Sequence, residues 1–266
     1  MEIIVLGCSG SVAGPDSAAS GYFLRGSQGE NVLLDVGPGV LSAMQREPEV
    51  NPAECHVVFS HMHADHCLDF PSLMVWRRFH PTDPAVGKHI LIGPQMAAEH
   101  LGRAGGDFLD RPDDYADSFD IRVHMTGSGV FDASAWPHHT IGQLAVYSAP
   151  AIHTTESYLT RVHDRVSGTS LVYSGDTAPT EVLAEFAHGA DALLCEATWG
   201  ESCEGKPEGM HMGGREAGQA AQAAGVGSLV LTHIPPWGDV EATLRGARAE
   251  FGGEILVAEP GMRIHL

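Results

Sequence analysis

Lysine is almost missing from this chain. Lys88 and Lys206 are the two among 266 residues, and Lys and Arg together number 15 against 34 Asp and Glu, a formal net charge of -19. Such a balance argues against wrapping a long nucleic acid, because that affinity rests on neutralising many phosphates. A small anionic substrate stays open, since bound metal ions can supply positive charge that a surface lacks. Cysteine is scarce too. Cys8, Cys55, Cys67, Cys195 and Cys203 are odd in number and form no Cys-x-x-Cys pair, so they read as reduced thiols of a cytoplasmic protein. No apolar run approaches the length of a membrane span, and the opening "MEIIVLGCSG" carries an acid and passes straight into a strand, unlike a secretory leader. The reading is a soluble cytoplasmic protein without a membrane partner. No linker rich in Pro, Ser or Gly divides the chain, so residues 1–266 read as a single domain. At 43% hydrophobic residues it can bury a core of its own, and a metal need not act as a folding staple.

Short β-rich runs dominate the first third, "EIIVLG", "GYFLRG", "NVLLDVG" and "CHVVFS", with one short helix near "PGVLSAMQRE". Helix, strand and helix follow at "LDFPSLMVWRRF", "ILIG" and "PQMAAEHLGRAG". Residues 104 to 141 are loop-rich and acidic, with a strand at "DIRVHM". A second β-rich block, "QLAVYSAPAIH", "SYLTRVHD" and "SLVYSGD", gives way to alternating strands and helices as far as "EILVAE". Two β-rich blocks, each ending in βα units, predict two packed sheets with helices outside. The sequence itself shows no repeat.

The densest chemistry lies in "FSHMHADHCLDF", residues 59–70, where three histidines and two aspartates fall within nine positions after a buried strand. A strand ending in His-x-His-x-Asp-His delivers several side chains to one short loop, and imidazole nitrogen with carboxylate oxygen is the usual ligand set for Zn²⁺. His61, His63, Asp65 and His66 resemble the HxHxDH motif of the metallo-β-lactamase fold superfamily. His153 in "APAIHTTESY" resembles that superfamily's third-motif histidine at a strand end, Asp176 in "VYSGDT" its bridging aspartate, and His233 in "LVLTHIPPW" its final histidine. The resemblance implies an α/β (α+β) fold, a four-layer αββα sandwich. It also implies two divalent metal ions, zinc with manganese or iron as alternatives. His61, His63 and His153 would hold one ion, Asp65, His66 and His233 the other, with Asp176 between them, as two cations roughly 3.5 to 4 Å apart require. Asp35 in "LLDVGPG" resembles the early aspartate that orients a metal-bound histidine, and reads equally as a strand-end turn former.

The remaining candidates take plainer readings. His138 and His139 in "WPHHT" read as loop surface, and the six aspartates from Asp107 to Asp120 as a solvated loop. Trp76, Trp136 and Trp199 read as core, whereas Trp237, four residues after His233, reads equally as a substrate platform.

A metal-activated water does not choose its substrate, and one fold hosts many reactions. Flavodiiron oxidoreductases carry Glu where this chain has His63, which disfavours that branch. His211, just before a helix and twenty-two residues upstream of His233, resembles the extra histidine of the ribonuclease Z branch. Glu196 in "LLCEATW" resembles the glutamate of its His-Glu-Ala-Thr motif, with Cys195 in place of the histidine. Together they could donate to a phosphoryl oxygen or leaving alkoxide. The basic Pro-x-Lys-x-Arg-Asn loop of ribonuclease Z is replaced here by "PDSAAS", with Ser17, Ala19 and Ser20 at the basic and amide positions. Too few residues separate His153 from Asp176 to hold the tRNA-clamping arm. The whole pattern resembles atypical class II cyclic-nucleotide phosphodiesterases. It implies hydrolysis of a small phosphodiester, 3′,5′-cyclic AMP first, by a water activated between two ions. Asp65 would take up a proton, and His211 with Glu196 would serve the leaving oxygen. The alternatives are a ribonuclease Z-like RNA endonuclease, an ester, thioester or lactone hydrolase, and a non-enzymatic metal-bearing scaffold. By the same resemblance, and because "LDFPSLMVWRRF" offers an apolar helix, a homodimer is expected.

Overall fold

In the central strands side chains alternate between two covered faces, so apolar residues occupy successive positions. Ile3 and Val5 point one way and Ile4 and Leu6 the other, and all four are buried. A computed structural model describes residues 1–108 and 110–266. The first block supplies β1 (Glu2–Gly7), β2 (Gly21–Arg25), β3 (Asn31–Leu34), β4 (His56–Val58), β5 (His89–Gly93) and β6 (Phe119–Val123). The second supplies β7 (His138–Ile141), β8 (Leu144–Pro150), β9 (Tyr158–Asp164), β10 (Ser170–Tyr173), β11 (Ala192–Glu196), β12 (Ser228–Thr232) and β13 (Glu254–Val257), and the chain closes with β14 (Arg263–His265). They form two seven-stranded sheets, in the orders β14-β1-β2-β3-β4-β5-β6 and β13-β12-β11-β10-β9-β8-β7. Strands β1 to β3 pair antiparallel and β3 to β6 parallel, and the second sheet repeats this, with β8 to β10 antiparallel and β10 to β13 parallel. The repeat invisible in the sequence is therefore present as topology.

The inner faces meet in one core that contains Val5, Leu34 and Val58 from the first sheet and Val146, Leu171 and Leu194 from the second. Outside the first sheet lie α1 (Val40–Met44), α3 (Phe70–Phe79) and α4 (Ala97–Gly105), packed on Phe23, Leu33 and Val57. A single helical turn, α2 (Ala64–Cys67), precedes α3. Outside the second sheet lie α5 (Glu181–Phe186), α6 (Gly214–Ala224) and α7 (Val240–Glu250), packed on Val172, Leu193 and Leu229. The layers run helix, sheet, sheet, helix. Among the described residues no helix is long and apolar enough to cross a membrane.

Two expectations are corrected. His138 and His139 are not loop surface: they form the half-buried start of β7, paired with Tyr147 and Val146 of β8. His153 is not at a strand end, because β8 stops at Pro150 and the histidine sits in the bend beyond it. Arg77 of α3 is 1% exposed, its guanidinium donating to the carbonyls of Pro52, Ala53 and Cys55.

One buried histidine joins the sheets and sets a pH response. His124, just past β6, donates from Nε2 to Phe59 O at 2.8 Å, faces Ser148 Oγ of β8 at 2.6 Å through Nδ1, and stacks on Tyr158. Burial lowers its pKa from 6.5 to about 4. Its folded pKa thus lies below its unfolded one, so its contribution is fully present above pH 6.5 and is lost as pH falls toward 4. The full span is worth about 3 kcal/mol. Urea unfolding of His124→Gln should depend on pH by one proton less than the parent across that window; equal slopes would contradict this assignment.

Candidate metal centre

Most of the cluster's side chains leave the sheets at one end. Asp35 follows β3, His61 to His66 follow β4, Asp176 follows β10, Glu196 ends β11 and His233 follows β12, so the cluster lies across the carboxyl ends of parallel strands, where α/β sheets hold ligands. Asp35 and His233 both adopt φ 58°, a left-handed conformation that costs energy outside glycine. Two glycines admit close backbone approach here. A Cβ on Gly37 would strike Asp65 O, and one on Gly10 would strike His233 O. The strained ligand loops are held by tight packing.

Two groups of side chains gather, and they share one carboxylate. His61, His63, His153 and Asp176 form the first, and Asp65, His66, Asp176 and His233 the second. Asp176 divides its oxygens between them. Oδ2 lies 3.7 Å from His61 Nε2 and 3.9 Å from His153 Nε2, whereas Oδ1 lies 3.2 Å from His66 Nε2 and 3.3 Å from His233 Nε2. Asp65 Oδ2 closes the second group at 3.1 Å from His233 Nε2. Yet His61 Nε2 and Asp176 Oδ1 are buried without a hydrogen-bond partner. Nitrogens also face nitrogens, His66 Nε2 to His233 Nε2 at 3.2 Å and His63 Nδ1 to His153 Nε2 at 3.1 Å. Buried polar atoms normally find partners, and lone pairs repel. Convergence of bare acceptors on two points is the geometry of a cation cage, so the residues fit a pair of divalent ions.

The far nitrogen of each of four imidazoles is fixed by a neighbour. His66 Nδ1 donates to Asp35 Oδ2 at 2.8 Å, His61 Nδ1 meets Ser60 Oγ at 3.0 Å, His153 Nδ1 donates to Met210 O at 2.8 Å, and His233 Nδ1 meets Thr198 Oγ1 at 2.8 Å. Each bond leaves Nε2 bare toward the cluster. Asp35 is buried and also accepts from Ser60 N–H, Ser60 Oγ and Tyr173 OH. Its place is beneath the cluster as a support, not merely in a turn. Ser60, Tyr173, Thr198 and the Met210 carbonyl were missed in the sequence. The first three sit beside singled-out residues, in "FSHMH", "LVYSGD" and "CEATW", but a backbone carbonyl leaves no signal.

The electrostatics suit cation binding. Burial, then the neighbouring His66, lowers the pKa of His61 well below the usual value, and burial with His153 lowers that of His63. Burial lowers His153 as well. These rings are neutral, the form that binds a cation. Burial opposes charge on Asp176 and Asp65, but the histidines beside them outweigh it and hold both carboxyls far below the usual range. Burial likewise opposes charge on His66, but Asp176 and Asp35 prevail and raise its pKa, so this ring would give up a proton on binding a cation.

A third group, Glu196, His211 and His233, comes within ligand distance, but Glu196 has no free oxygen for a metal. Its Oε1 accepts from Thr177 N–H at 2.7 Å and His211 Nδ1 at 3.0 Å, and its Oε2 from Thr198 Oγ1 at 2.9 Å and Met212 N–H at 3.3 Å. His211 Nδ1 also lies 3.8 Å from Asp176 Oδ2, which places the ring at the cluster's edge. Burial opposes charge on His211, and the Glu196 hydrogen bond overrides it and raises the pKa. A positioned imidazole that favours its proton is suited to donate one. His211 does not cap α6, whose N-cap is Gly213. Of the tryptophans, Trp136 is buried, Trp199 packs edge-on against His211 at 5.4 Å, and Trp237 is 72% exposed and not core.

Comparison with known proteins agrees with this geometry. Residues 30–234 match the family model described as the β-lactamase superfamily domain. An uncharacterized protein of Mycobacterium leprae is 48% identical over 255 residues, 96% of this chain and 85% of its own. A ribonuclease Z of Haloferax volcanii is 30% identical over 310 residues, 100% of this chain and 95% of its own. The probable metallo-hydrolase YhfI of Bacillus subtilis is 27% identical over 273 residues, 98% of each chain. The crystal structure of YhfI, a metallo-β-lactamase fold protein, superposes with a TM-score of 0.81 at 24% identity over 99% of this chain and 98% of that one.

Proposed function

The chain belongs to the β-lactamase superfamily and is a metal-dependent hydrolase, and from that premise we propose that it hydrolyses a small phosphodiester, 3′,5′-cyclic AMP to 5′-AMP. The observation that carries the reading is the His211–Glu196 pair at the edge of the cluster. Ester or lactone cleavage by the same centre would not require it. The relative from Haloferax volcanii is a ribonuclease Z, an enzyme of phosphodiester chemistry.

His61, His63 and His153 would hold one cation and Asp65, His66 and His233 the other, with Asp176 between them; zinc suits this donor set, and manganese or iron fits it too. Bound there, the cations supply an activated water and neutralise charge gathering on the phosphoryl oxygens. Asp65 takes the proton released by the water as its oxygen bonds to phosphorus. The bond from phosphorus to the ribose 3′-oxygen breaks, and His211 gives that oxygen its proton. Glu196 touches no reacting atom and acts by holding the ring.

Long RNA is disfavoured. Ala19 and Ser20, where ribonuclease Z carries basic and amide residues, are buried, and Ser17 turns its hydroxyl to Ala18 O and Cys8 N–H. The stretch from His153 to Asp176 is taken up by β9 and β10. If tRNA were the substrate, binding would fall steeply with salt. Weak tRNA binding is expected even at low salt, and tight binding with correct processing of a precursor would overturn the preference. The direct test is a hydrolysis panel at controlled metal content, comparing cyclic AMP, cyclic GMP, 2′,3′-cyclic nucleotides, tRNA precursor and a lactone. Turnover of cyclic AMP above the others supports the reading, and turnover of the lactone alone replaces it.

We further propose that the enzyme acts in the cytoplasm as a homodimer. Leu68, Val75 and Phe79 are exposed on and beside α3, an apolar face that a second copy could cover. Light scattering should report a dimer that Phe79→Glu weakens; a monomer at high protein concentration would refute it.

A further inference from the structure

We infer that Thr198 is a positioning residue that ties the second metal position to the carboxylate orienting His211. The inference rests on the ligand role proposed for His233 and not on the identity of the substrate.

Thr198 is the second residue beyond β11 and is buried. Its Oγ1 lies 2.8 Å from His233 Nδ1, 2.9 Å from Glu196 Oε2 and 3.2 Å from His233 O. A hydroxyl has one proton to give and a carboxylate only accepts. The shorter donation therefore runs to Glu196, and the oxygen accepts the Nδ1–H of His233. That tautomer leaves His233 Nε2 bare, aimed at Asp65 Oδ2 and Asp176 Oδ1 at 3.1 and 3.3 Å. Among the described residues no other hydrogen bond engages Nδ1 of His233.

Glu196 therefore serves two histidines through separate oxygens. Oε1 holds His211 directly, and Oε2 reaches His233 through Thr198. A carboxylate behind a ligand histidine raises its basicity and fixes its ring, and loss of such a partner typically costs about 10- to 100-fold in metal affinity. Thr198 is where the two duties can be separated.

The test measures Zn²⁺ affinity by competition with a chelator, together with the ratio of cyclic AMP to bis-(p-nitrophenyl) phosphate turnover at saturating zinc. Thr198→Val, nearly isosteric, should weaken one of the two ions about 10- to 100-fold, spare the other and leave the substrate ratio unchanged. Thr198→Ser should restore affinity. His211→Ala should change the ratio and not the affinity, and Glu196→Gln should change both. If the Val variant does not fold, Thr198→Ala against Thr198→Ser makes the same comparison. Parental affinity in the variant lacking the hydroxyl, or failure of Ser to restore it, would overturn the inference. The metal readout holds even if no phosphodiester is turned over, so failure of the proposed function is seen separately.

Discussion

Asp176→Ala is expected to bind fewer than two divalent ions per chain, with the greater loss at the Asp65, His66 and His233 position, and to lose nearly all hydrolysis. Asp176 is the one residue common to both ligand groups, and its two oxygens face different histidines. Without it the second group keeps one carboxylate for two imidazoles whose Nε2 atoms are 3.2 Å apart. Two-cation stabilisation of a phosphoryl transition state is worth several kcal/mol, so a fall of about 10³-fold or more in rate is expected. Elemental analysis of the purified variant reads the occupancy. Full occupancy of both positions would remove Asp176 from the bridging role.

The second large effect belongs to His211. Opening a cyclic nucleotide expels a ribose 3′-alkoxide, a poor leaving group that gains from a proton delivered in the transition state, typically about 10² to 10⁴ in rate. An aryl phosphodiester such as bis-(p-nitrophenyl) phosphate expels a stable phenolate and needs no such help. His211→Ala should therefore lower cyclic AMP turnover by about two to four orders of magnitude and largely spare the aryl ester, with both ions retained. Equal losses on the two substrates would make His211 a support for phosphate or metal and not the acid. No loss on either would favour the ester-hydrolase reading.

Much of this site was legible because its ligands are side chains with few other uses. A histidine cluster after a buried strand, an aspartate after "VYSG" and a histidine after "LVLT" mark strand ends in the sequence, and the fold brings those ends together. The layer order followed from two β-rich blocks with trailing helices. Less visible were features that depend on pairing between distant segments. The second sheet repeats the connectivity of the first, but hydrogen bonds between backbones set that pattern, and no residue type records it. His138 and His139 looked like loop because two adjacent polar residues break the apolar alternation, yet β8 gives them a partner strand. The burial of Arg77 leaves no mark in the sequence either, because the three backbone carbonyls that compensate it come from residues 52 to 55. Asp35 could be read two ways until its four donors, from Ser60, His66 and Tyr173, were in place.

In the proposed reaction water attacks phosphorus at this centre while His211 assists the departing 3′-oxygen. Turnover of 3′,5′-cyclic AMP by the metal-loaded enzyme in ¹⁸O-labelled water tests it most directly, with the product identified and the label located. The expected product is 5′-AMP, carrying the label on its phosphate and none in the ribose. A fully loaded enzyme that leaves cyclic AMP intact while opening a lactone or thioester, or a product labelled in the ribose, would contradict it.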